Sequence, residues 1–480
     1  MTARRNAVPH LSARLSFLGV AFFAFSCASG DAGAPSDAIA SLPDVVDATG
    51  DAEPDVVEVA DVASQDDGVE ADVPASDDVL TGDDTSDDTR ADTADEPDTN
   101  TVDGFVWVPD PDTTPLFDEA TVKTLDLTFP PGEFKALLDC WRNPSADVLS
   151  GDEKCWFPCT ATFDGQTSVE SGCRPKGSPK KWNEQWKPQL IVRFDHVDDA
   201  GRFFGLRRMN LEASPDHAAP VRDQVGMWFM REAGLPAPRA VLLRVRIDGQ
   251  EYGPYQSIEP VDKEFLSDHY EDAEGDLYDD DLDLVTNDKT SDGARLGVFL
   301  ETGEDVAPGD VAAALTDLDA LGDLDAFVRH LAAEACLGTV DNFSDGAGNT
   351  YFYDRLPTPG IAPIPWDLDD IFSSWADAEE PIGTCVGPKD FADSPQGVCE
   401  VLYAVPETRA AIVAAMTSYR DGVFPGLAAE VTAACAMARP VVALDPFTPF
   451  SLSDFDDDCA AILDAMEARR TWLIEAPELQ

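Results

Sequence analysis

The stretch Gly338–Ile371, GTVDNFSDGAGNTYFYDRLPTPGIAPIPWDLDDI, decides how the rest of the chain is interpreted. Two apolar runs within it, Tyr351–Tyr353 and Ile361–Trp366, are typical of short strands. Acidic and amide side chains stand beside these runs, so they can converge on one point. An aspartate that orients a hydroxyl, followed by an asparagine and an aspartate that hold Mg²⁺, is what phosphoryl transfer requires. The same polar residues could instead form only turns and caps.

The order of motifs in this stretch resembles the signature of the CotH (spore coat protein H) kinase family, which are secreted atypical protein kinases. The family pattern is an aspartate, then an Asn-x-Tyr-x-Tyr-like strand, then Pro-x-Trp-Asp-x-Asp. The corresponding parts of this chain are Asp341, Asn349–Tyr353 and Pro363–Asp369. The resemblance extends over about residues 120–375, so it covers most of the part expected to fold.

This resemblance implies a role for each polar residue of the stretch. Asp341 would orient or deprotonate the acceptor hydroxyl, while Asn349, Asp367 and Asp369 would hold Mg²⁺ or Mn²⁺. The separation of Asp341 from Asn349 is longer than the roughly five residues of an ordinary kinase catalytic loop. Asp345 lies between them and remains a rival for the aspartate role.

Two basic motifs upstream also resemble the family. They are RPKGS, which begins at Arg174, and the strand-like KPQLIVRF, which begins at Lys187. The resemblance implies that Lys187, together with Arg174, binds nucleotide phosphates. Lys180 and Lys181 are alternatives, because the loop between the motifs has no fixed length. The residues alone would favour a basic patch on a solvated hairpin, but in so acidic a domain this segment would attract anionic ligands.

A hairpin carries the next motif. Strand Ala240–Ile247, the turn Asp248-Gly249 and the return strand Tyr252–Pro260 are predicted from their alternation and turn residues. The run Gly253–Asp262 matches the family's Gly-x-Tyr-x-x-x-Glu signature. This implies that Glu259 pairs with a phosphate-binding lysine or contacts the nucleotide, the alternative being a strand-end acid that faces water.

Apolar positions at helical spacing predict five further helices. They are a helix opening near Asp216 and ending at Glu232, an amphipathic helix over Leu315–Leu337 that leads into the Asp341 loop, and Pro406–Val423, Leu427–Ala438 and Asp454–Glu475.

The N-terminus has the pattern of a bacterial export signal. Met1–Cys27 combines early arginines with an apolar run that is too short to span a bilayer. The run ends in Ala-Phe-Ser-Cys, which resembles a lipobox and implies lipidation of Cys27; an ordinary cleaved signal is the alternative. Residues 28–113 carry 26 acidic residues against one base, Arg90. Such a segment cannot bury enough apolar surface to fold, so we expect a disordered, extended linker.

The charge of the chain excludes two classes of partner. With 93 acidic and 33 basic residues, the formal net charge is −60. A chain of this charge would repel the phosphates of nucleic acid. It would also not dock on an anionic membrane surface by charge alone. We therefore expect no nucleic-acid partner and membrane contact only through the lipid anchor. The chain has only 5 histidines and no Gly-x-Ser-x-Gly motif, which leaves little support for histidine-based or serine-hydrolase chemistry.

Eight of the 10 cysteines are expected to form disulfides, because an exported protein matures in an oxidising compartment. The expected pairs are two among Cys140, Cys155, Cys159 and Cys173, then Cys385 with Cys399 and Cys435 with Cys459. A zinc site is the weaker alternative, since the only close pair among the first four lacks a nearby histidine. Cys336 lies in an apolar helical run and is the candidate for a buried free thiol.

These patterns predict an α+β chain, and the resemblance implies an atypical protein-kinase-like fold with two lobes. The folded part covers residues 114–480, with a β-rich N-lobe over 114–262 and a helical C-lobe over 263–480. The implied activity is transfer of the ATP γ-phosphate, with Mg²⁺ or Mn²⁺, to a hydroxyl of a surface or coat protein outside the cytoplasm. The alternative is a non-catalytic cell-surface lipoprotein that uses the fold as a binding or structural module. The scarcity of ATP outside the cytoplasm favours that alternative.

Overall fold

The computed structural model describes residues 113, 115–151, 153–345, 348–355, 360–372 and 396–479. The predicted export signal over Met1–Cys27, and the predicted linker up to residue 112, lie outside the described residues. None of the helices in the described ranges combines the length and the apolar character that a membrane span requires.

The N-lobe is built on a sheet of eight strands. They are β1 Lys123–Thr128, β2 Phe157–Phe163, β3 Gln166–Thr167, β4 Ser171–Pro175, β5 Leu190–Arg193, β6 Arg208–Leu211, β7 Ala240–Ile247 and β8 Gln250–Ile258. Their order is β6-β5-β4-β2-β1-β7-β8, with β3 paired to β2. The β1–β7 pair is parallel and the other pairs are antiparallel. An antiparallel bridge between Glu212 and Gln256 joins the two edges, so the sheet curves back on itself.

The β7–β8 hairpin shows how the order of apolar, charged and turn residues determines the strands of this sheet. Val245 and Ile247 are buried, while Arg244 and Arg246 point to the other face and pair with acids on neighbouring strands. The turn residues Asp248 and Gly249 have φ values of 49° and 76°. Positive φ at both central positions is the requirement of a tight hairpin turn, which an Asp-Gly pair meets readily. The predicted hairpin is confirmed.

The C-lobe is helical around a small sheet. Helices α1 Glu133–Arg142, α2 Ala146–Ser150 and α3 Arg222–Glu232 belong to the N-lobe. The C-lobe has α4 Lys263–His269, α5 Ala294–Gly303, α6 Val311–Asp319, α7 Leu324–Leu337, α8 Gln396–Ala404, α9 Pro406–Gly422, α10 Phe424–Val442 and α11 Leu452–Glu475. Its strands are β9 Asp276–Tyr278, β10 Thr350–Asp354 and β11 Ile361–Pro365, in the order β11-β10-β9. The predicted α+β class, with a β-rich part before a helical part, is confirmed.

Two helix predictions need correction. The helix expected over Leu315–Leu337 is two helices, α6 and α7. The chain between them hydrogen-bonds to β11: the N–H of Asp323 donates to the carbonyl of Ile361, whose own N–H donates to Leu321. The Asp323 side chain then accepts from the N–H of Ala326 and caps α7. The helix expected to open near Asp216 begins only at Arg222.

The cysteine pairs are largely as expected. Disulfides join Cys140 to Cys155, Cys159 to Cys173 and Cys435 to Cys459. Cys399 is also disulfide-bonded, but its predicted partner Cys385 lies outside the described residues. Cys336 is buried and free, as predicted. Disulfides persist in oxidising compartments, so these bonds favour a location outside a reducing cytoplasm.

Candidate active site

A cavity of about 460 Å³ opens where the ends of β4 and β6, the start of α3 and the end of β11 meet. Its charged lining consists of Lys176, Lys181, Glu184, Glu212, Asp216, Asp223, Asp280, Asp281, Asp367 and Asp369. We call it the acidic cavity. Eight carboxylates facing two ammonium groups leave an excess of negative charge, which a bound cation would offset.

A lysine–glutamate pair forms the N-lobe wall of the acidic cavity. Lys176 directly follows β4, and its Nζ lies 2.5 Å from Oε1 of Glu212, which follows β6. Burial lowers the pKa of Lys176, but the Glu212 and Asp367 carboxylates outweigh burial and the net pKa is raised. Lys176 is therefore a charged ammonium at neutral pH, held in place by its partner.

Asp367 stands at the end of β11 with its backbone held from two sides. The side-chain amide of Asn342 donates to the carbonyl of Trp366 (3.1 Å) and to that of Asp367 (3.4 Å). The N–H of Leu368 donates to Oδ1 of Asp223 on α3, at 3.0 Å. Asp367 has a φ of 50°, a left-handed conformation that non-glycine residues adopt at a cost. The strand end is therefore fixed by contacts from both lobes.

The carboxylates around Asp367 repel one another. Burial, followed by the charge of Asp367, raises the pKa of Asp223 well above its usual value. The same two causes raise the pKa of Asp369. Both carboxylates are affected by the charge of Asp367, and a divalent cation bound here would relieve the repulsion among the three groups.

Asp341 and Asn349 lie in the loop between α7 and β10. The Asn349 amide nitrogen is 3.4 Å from Oδ2 of Asp341, and both residues have positive φ values, of 68° and 43°. Desolvation, and then the charges of Asp367 and Asp370, raise the pKa of Asp341. The structure thus brings Asp341 and Asn349 within electrostatic reach of Asp367. The side chain of their rival, Asp345, lies outside the described part of the chain.

Lys187 lies elsewhere, although the sequence singled it out for phosphate binding. Its ammonium is 1% exposed and donates to the carbonyls of Tyr252 (3.0 Å) and Pro254 (2.7 Å) and to Oδ2 of Asp445 (2.7 Å). Burial lowers its pKa to about 8, and Asp445 partly offsets that. These three acceptors hold the ammonium inside the protein, away from the acidic cavity.

Glu259 also lies elsewhere. It is buried and accepts hydrogen bonds from the backbone N–H and from Nε of Arg239, each at 3.0 Å, with a further bond from the same guanidinium. Its partner is thus an arginine and not a phosphate-binding lysine.

Arg174 lines a second cavity of about 380 Å³, which we call the arginine cavity. Its lining is Lys154, Trp156, Arg174, Ile191, Arg193, Asp195, Arg207, Arg208, Asp262 and Val285. The Arg174 guanidinium carbon is 5.3 Å from the centre of the Trp156 ring. Burial, aided by Arg208, lowers the pKa of Arg174 to about 10. Arg174 and Lys176 are two residues apart along one extended segment, so their side chains lie on the same face, about 7 Å apart.

Three residues of the acidic cavity were missed as site residues. Lys176 was recognised only as part of the basic segment, although Cys173 and Pro175 are buried and alternation places Arg174 and Lys176 on the opposite face. Asp223 lies within the helix predicted to end at Glu232, and neither it nor Glu212 was predicted to have a role in the site. No local pattern marked them, because their partners lie far away in sequence.

No group of three or more acidic, histidine or cysteine side chains in the described ranges is arranged to enclose a metal ion. The donors are nevertheless of the type that Mg²⁺ uses, since this ion is commonly bound by one or two carboxylates together with substrate phosphates and water. Asp367 and Asp369 supply carboxylates, and Asn349 supplies an amide oxygen. The oxygen donors of these three residues are therefore of the kind that binds Mg²⁺.

The model of the CotH kinase protein family matches residues 182–473, more than half of the chain. The chain belongs to the CotH kinase family. This membership makes the protein kinase-like and implies the general use of ATP and a divalent metal ion. Asp341, Asn349, Asp367, Glu212 and Asp223 lie within the matched range, whereas Lys176 precedes it.

Two solved structures are similar at low scores. The Helicobacter pylori proinflammatory kinase CtkA is 12% identical, with a TM-score of 0.25 over 60% of this chain and 94% of that one. HipA, from a Shewanella oneidensis MR-1 toxin–antitoxin system solved with HipB and operator DNA, is 11% identical, with a TM-score of 0.30 over 77% of this CotH kinase and 88% of that chain. No curated protein matches the chain. The family assignment therefore rests on the family model.

Proposed function

We propose that this CotH kinase transfers the γ-phosphate of ATP to a hydroxyl of a protein substrate outside the cytoplasm. The observation that carries the proposal is the meeting of the Lys176–Glu212 pair with Asp367 at one cavity, with Asp341, and Asn349 beside it, within electrostatic reach of Asp367. A fixed ammonium, a metal-binding carboxylate and a hydroxyl-orienting aspartate are the parts that phosphoryl transfer needs.

The nucleotide would extend across both cavities. Lys176 and Lys181 would contact its phosphates in the acidic cavity, while the base and sugar would enter the arginine cavity beside Trp156 and Arg174. Two features support this arrangement. Arg174 on β4 lines one cavity while Lys176, directly after β4, lines the other, and the Arg174 guanidinium, 5.3 Å from the centre of the Trp156 ring, offers a planar cation on which a base can stack. Arg174 thus keeps a place in nucleotide binding, and Lys176 takes the place that the sequence gave to Lys187.

A divalent cation would be held by Asp367 and Asp369, with Asn349 near. When bound, Mg²⁺ or Mn²⁺ would supply the positive charge that offsets the negative charge developing in transfer. Asp367 and Asp369 would hold the cation, and the eight acidic residues of the cavity would repel anions that arrive without one.

Asp341 is the residue that would accept the proton of the acceptor hydroxyl. Desolvation and the charges of Asp367 and Asp370 raise its pKa, which makes its carboxylate a better base than an ordinary aspartate. The Asn349 amide lies against Oδ2 and orients the carboxylate toward the incoming hydroxyl.

The location of the protein follows from its disulfides and from its N-terminus. The disulfide bonds support an oxidising compartment. The lipobox-like end of the signal supports an anchor at Cys27, which would place the kinase on a membrane or cell surface. Its substrates would then be surface or coat proteins.

The test is phosphate transfer by the purified full chain. Incubation with γ-labelled ATP and Mg²⁺ should label the protein itself or an added surface protein extract, and Asp341→Asn should abolish labelling. In parallel, ATP with Mg²⁺ at about 100 times its Kd should stabilise the fold by about 2.7 kcal/mol, read as a rise in Tm. Exposed Asp288→Asn is the control for both readouts. No labelling and no shift would instead support a non-catalytic surface lipoprotein.

A further inference from the structure

Glu334, in the last turn of α7, is buried with three polar contacts. Its side chain is 1% exposed. Oε1 accepts the backbone N–H of Phe343 at 3.1 Å, and Oε2 accepts that of Ser344 at 2.9 Å. Nε2 of His330, one turn earlier on the same helix, lies 3.0 Å from Oε1. Both oxygens of the carboxylate are therefore used, and two of their partners belong to the backbone of the loop that follows α7.

That loop carries Asp341 in a conformation that needs support. A non-glycine residue in the left-handed region costs roughly 1–2 kcal/mol and persists only where surrounding contacts determine it. Glu334 holds the two residues that follow Asn342, and the Asn342 amide holds the carbonyls of Trp366 and Asp367. The loop is thus attached to α7 on one side and to the end of β11 on the other.

We propose that Glu334 is a positioning residue for phosphate transfer: its carboxylate fixes the Phe343–Ser344 backbone and, through it, the place of Asp341 relative to Asp367. This inference rests on the proposed function, because it assigns Asp341 the acceptor hydroxyl. A carboxylate suits the task since it can accept two N–H groups at once. Glutamine offers one acceptor oxygen and would turn an NH₂ group toward the second N–H, so the isosteric replacement releases part of the loop.

The experiment compares Glu334→Gln, Glu334→Asp and Val328→Ala in the full chain. Val328 is buried on the same helix, about 200° around the axis from His330, so its truncation loosens α7 without touching the loop. Two quantities are measured: kcat and KM for ATP in phosphate transfer, and hydrogen exchange of the amides of Phe343 and Ser344 in the unliganded protein.

We expect Glu334→Gln to lower kcat about 10²-fold while KM for ATP stays within about twofold, as for a misplaced catalytic group with intact nucleotide binding. The two amides should exchange at least about tenfold faster, since each loses a hydrogen bond to a charged group. Glu334→Asp keeps the charge with a shorter reach and should fall between wild type and Gln. Val328→Ala should lower Tm but leave kcat and both amides unchanged.

Each other outcome overturns the proposal. Wild-type kcat in a folded Glu334→Gln, unchanged exchange of the two amides, or a loss of kcat in Val328→Ala that tracks its Tm would each show that Glu334 does not position the loop for transfer. If the wild type transfers no phosphate, the proposed function fails separately. Exchange alone then decides: faster exchange in Glu334→Gln supports the fixing of the loop, and unchanged exchange rejects it.

Discussion

Lys187 and Asp445 form an ion pair in which each side chain is 1% exposed, with Nζ 2.7 Å from Oδ2. The pair joins the chain just before β5 to the loop between α10 and α11, and so ties the β-sheet of the N-lobe to the C-terminal helices. The approach requires Gly253, which has a φ of 75° and where an added Cβ would lie 2.5 Å from Cβ of Asp445. Lys187, which the sequence predicted to bind nucleotide phosphates, thus forms a buried ion pair in the protein interior.

Breaking this pair should damage stability and not nucleotide binding. Lys187→Met leaves the Asp445 carboxylate buried without its cation, which typically costs about 3–5 kcal/mol. We expect a large fall in the urea midpoint at unchanged slope, with Kd for ATP in the folded protein unchanged. Adding Asp445→Leu should recover part of the loss. Weak ATP binding by a Lys187→Met protein of normal stability would show that Lys187 does contact phosphate.

Replacing Lys176 should weaken nucleotide binding, and it also leaves the buried Glu212 carboxylate without its cation. Its ammonium lines the acidic cavity, so Lys176→Met removes a charge-assisted contact of about 1.5–3 kcal/mol and should weaken ATP binding about 10- to 100-fold. Isothermal titration with Mg²⁺ present measures this directly. Lys135→Met removes a lysine from the exposed surface of α1 and is the matched control. Equal Kd values for both variants would remove Lys176 from the site.

The choice between these two lysines shows where sequence reasoning stops. Local patterns were sufficient to predict the β7–β8 hairpin, because strand alternation and an Asp-Gly turn depend only on residues that are close in sequence. They could not tell which lysine faces the cavity, because that depends on the path of the loop between β4 and β5 and on partners far along the chain. Glu212 lies 36 positions after Lys176, and Asp445 lies 258 positions after Lys187.

The same limit explains the break between α6 and α7. The apolar spacing continues from one helix to the other, so the sequence predicts a single helix. The chain nevertheless leaves the helix at Leu321–Asp323 because Ile361, on a later strand, offers hydrogen bonds there. By contrast, a family motif records a spatial arrangement that periodicity does not, and the structure brings Asn349 against Asp341 and Asp341 within electrostatic reach of Asp367.

The stability of the protein should depend on pH through Asp262. This residue caps α4 by accepting the N–H groups of Glu264 and Phe265. Burial raises its pKa to about 7; Arg208 on β6 and Arg207 oppose the rise, and Glu264 on α4 adds to it. The unfolded chain releases this proton near its ordinary pKa of 3.8. Between about pH 4 and pH 7 the native state therefore binds more protons than the unfolded state. The stability that protonated Asp262 contributes is lost as pH rises through this range.

Asp262→Asn should remove this dependence, since asparagine caps helices about as well as aspartate and does not titrate. Unfolding free energies from urea titrations at several pH values provide the check. The variant should gain stability relative to wild type as pH rises from about 4 to about 7 and keep a constant difference above that. Parallel curves over the whole range would show that Asp262 ionises normally in the fold.

Cys27 should carry lipid in mature protein isolated from cells. The expectation rests on the Ala-Phe-Ser-Cys sequence that ends the apolar run of the export signal. Mass spectrometry of the N-terminal peptide should show a diacyl or triacyl modification, and Cys27→Ser should release the protein from the membrane fraction. An unmodified mature N-terminus beyond Cys27 would instead indicate an ordinary cleaved signal.

Asp367→Asn tests the metal-binding assignment most directly, because it removes a charge while keeping shape. Asp367 stands at a strand end where its charge raises the pKa values of Asp223 and Asp369, so the unliganded protein contains a repulsion that the substitution relieves. We therefore expect the variant to melt at or above the wild-type Tm without metal. It should lose both the Mg²⁺ dependence of ATP binding and all phosphate transfer.

Asp281→Asn is the matched control, because Asp281 is an exposed acid on the lining of the same cavity. It should retain transfer, which separates a specific metal ligand from the general charge of the cavity. A loss of a few kcal/mol in stability for Asp367→Asn would indicate a structural ion pair whose partner is left uncompensated. Normal phosphate transfer by a folded Asp367→Asn would reject the assignment of this strand end to metal binding, and with it the proposed mechanism.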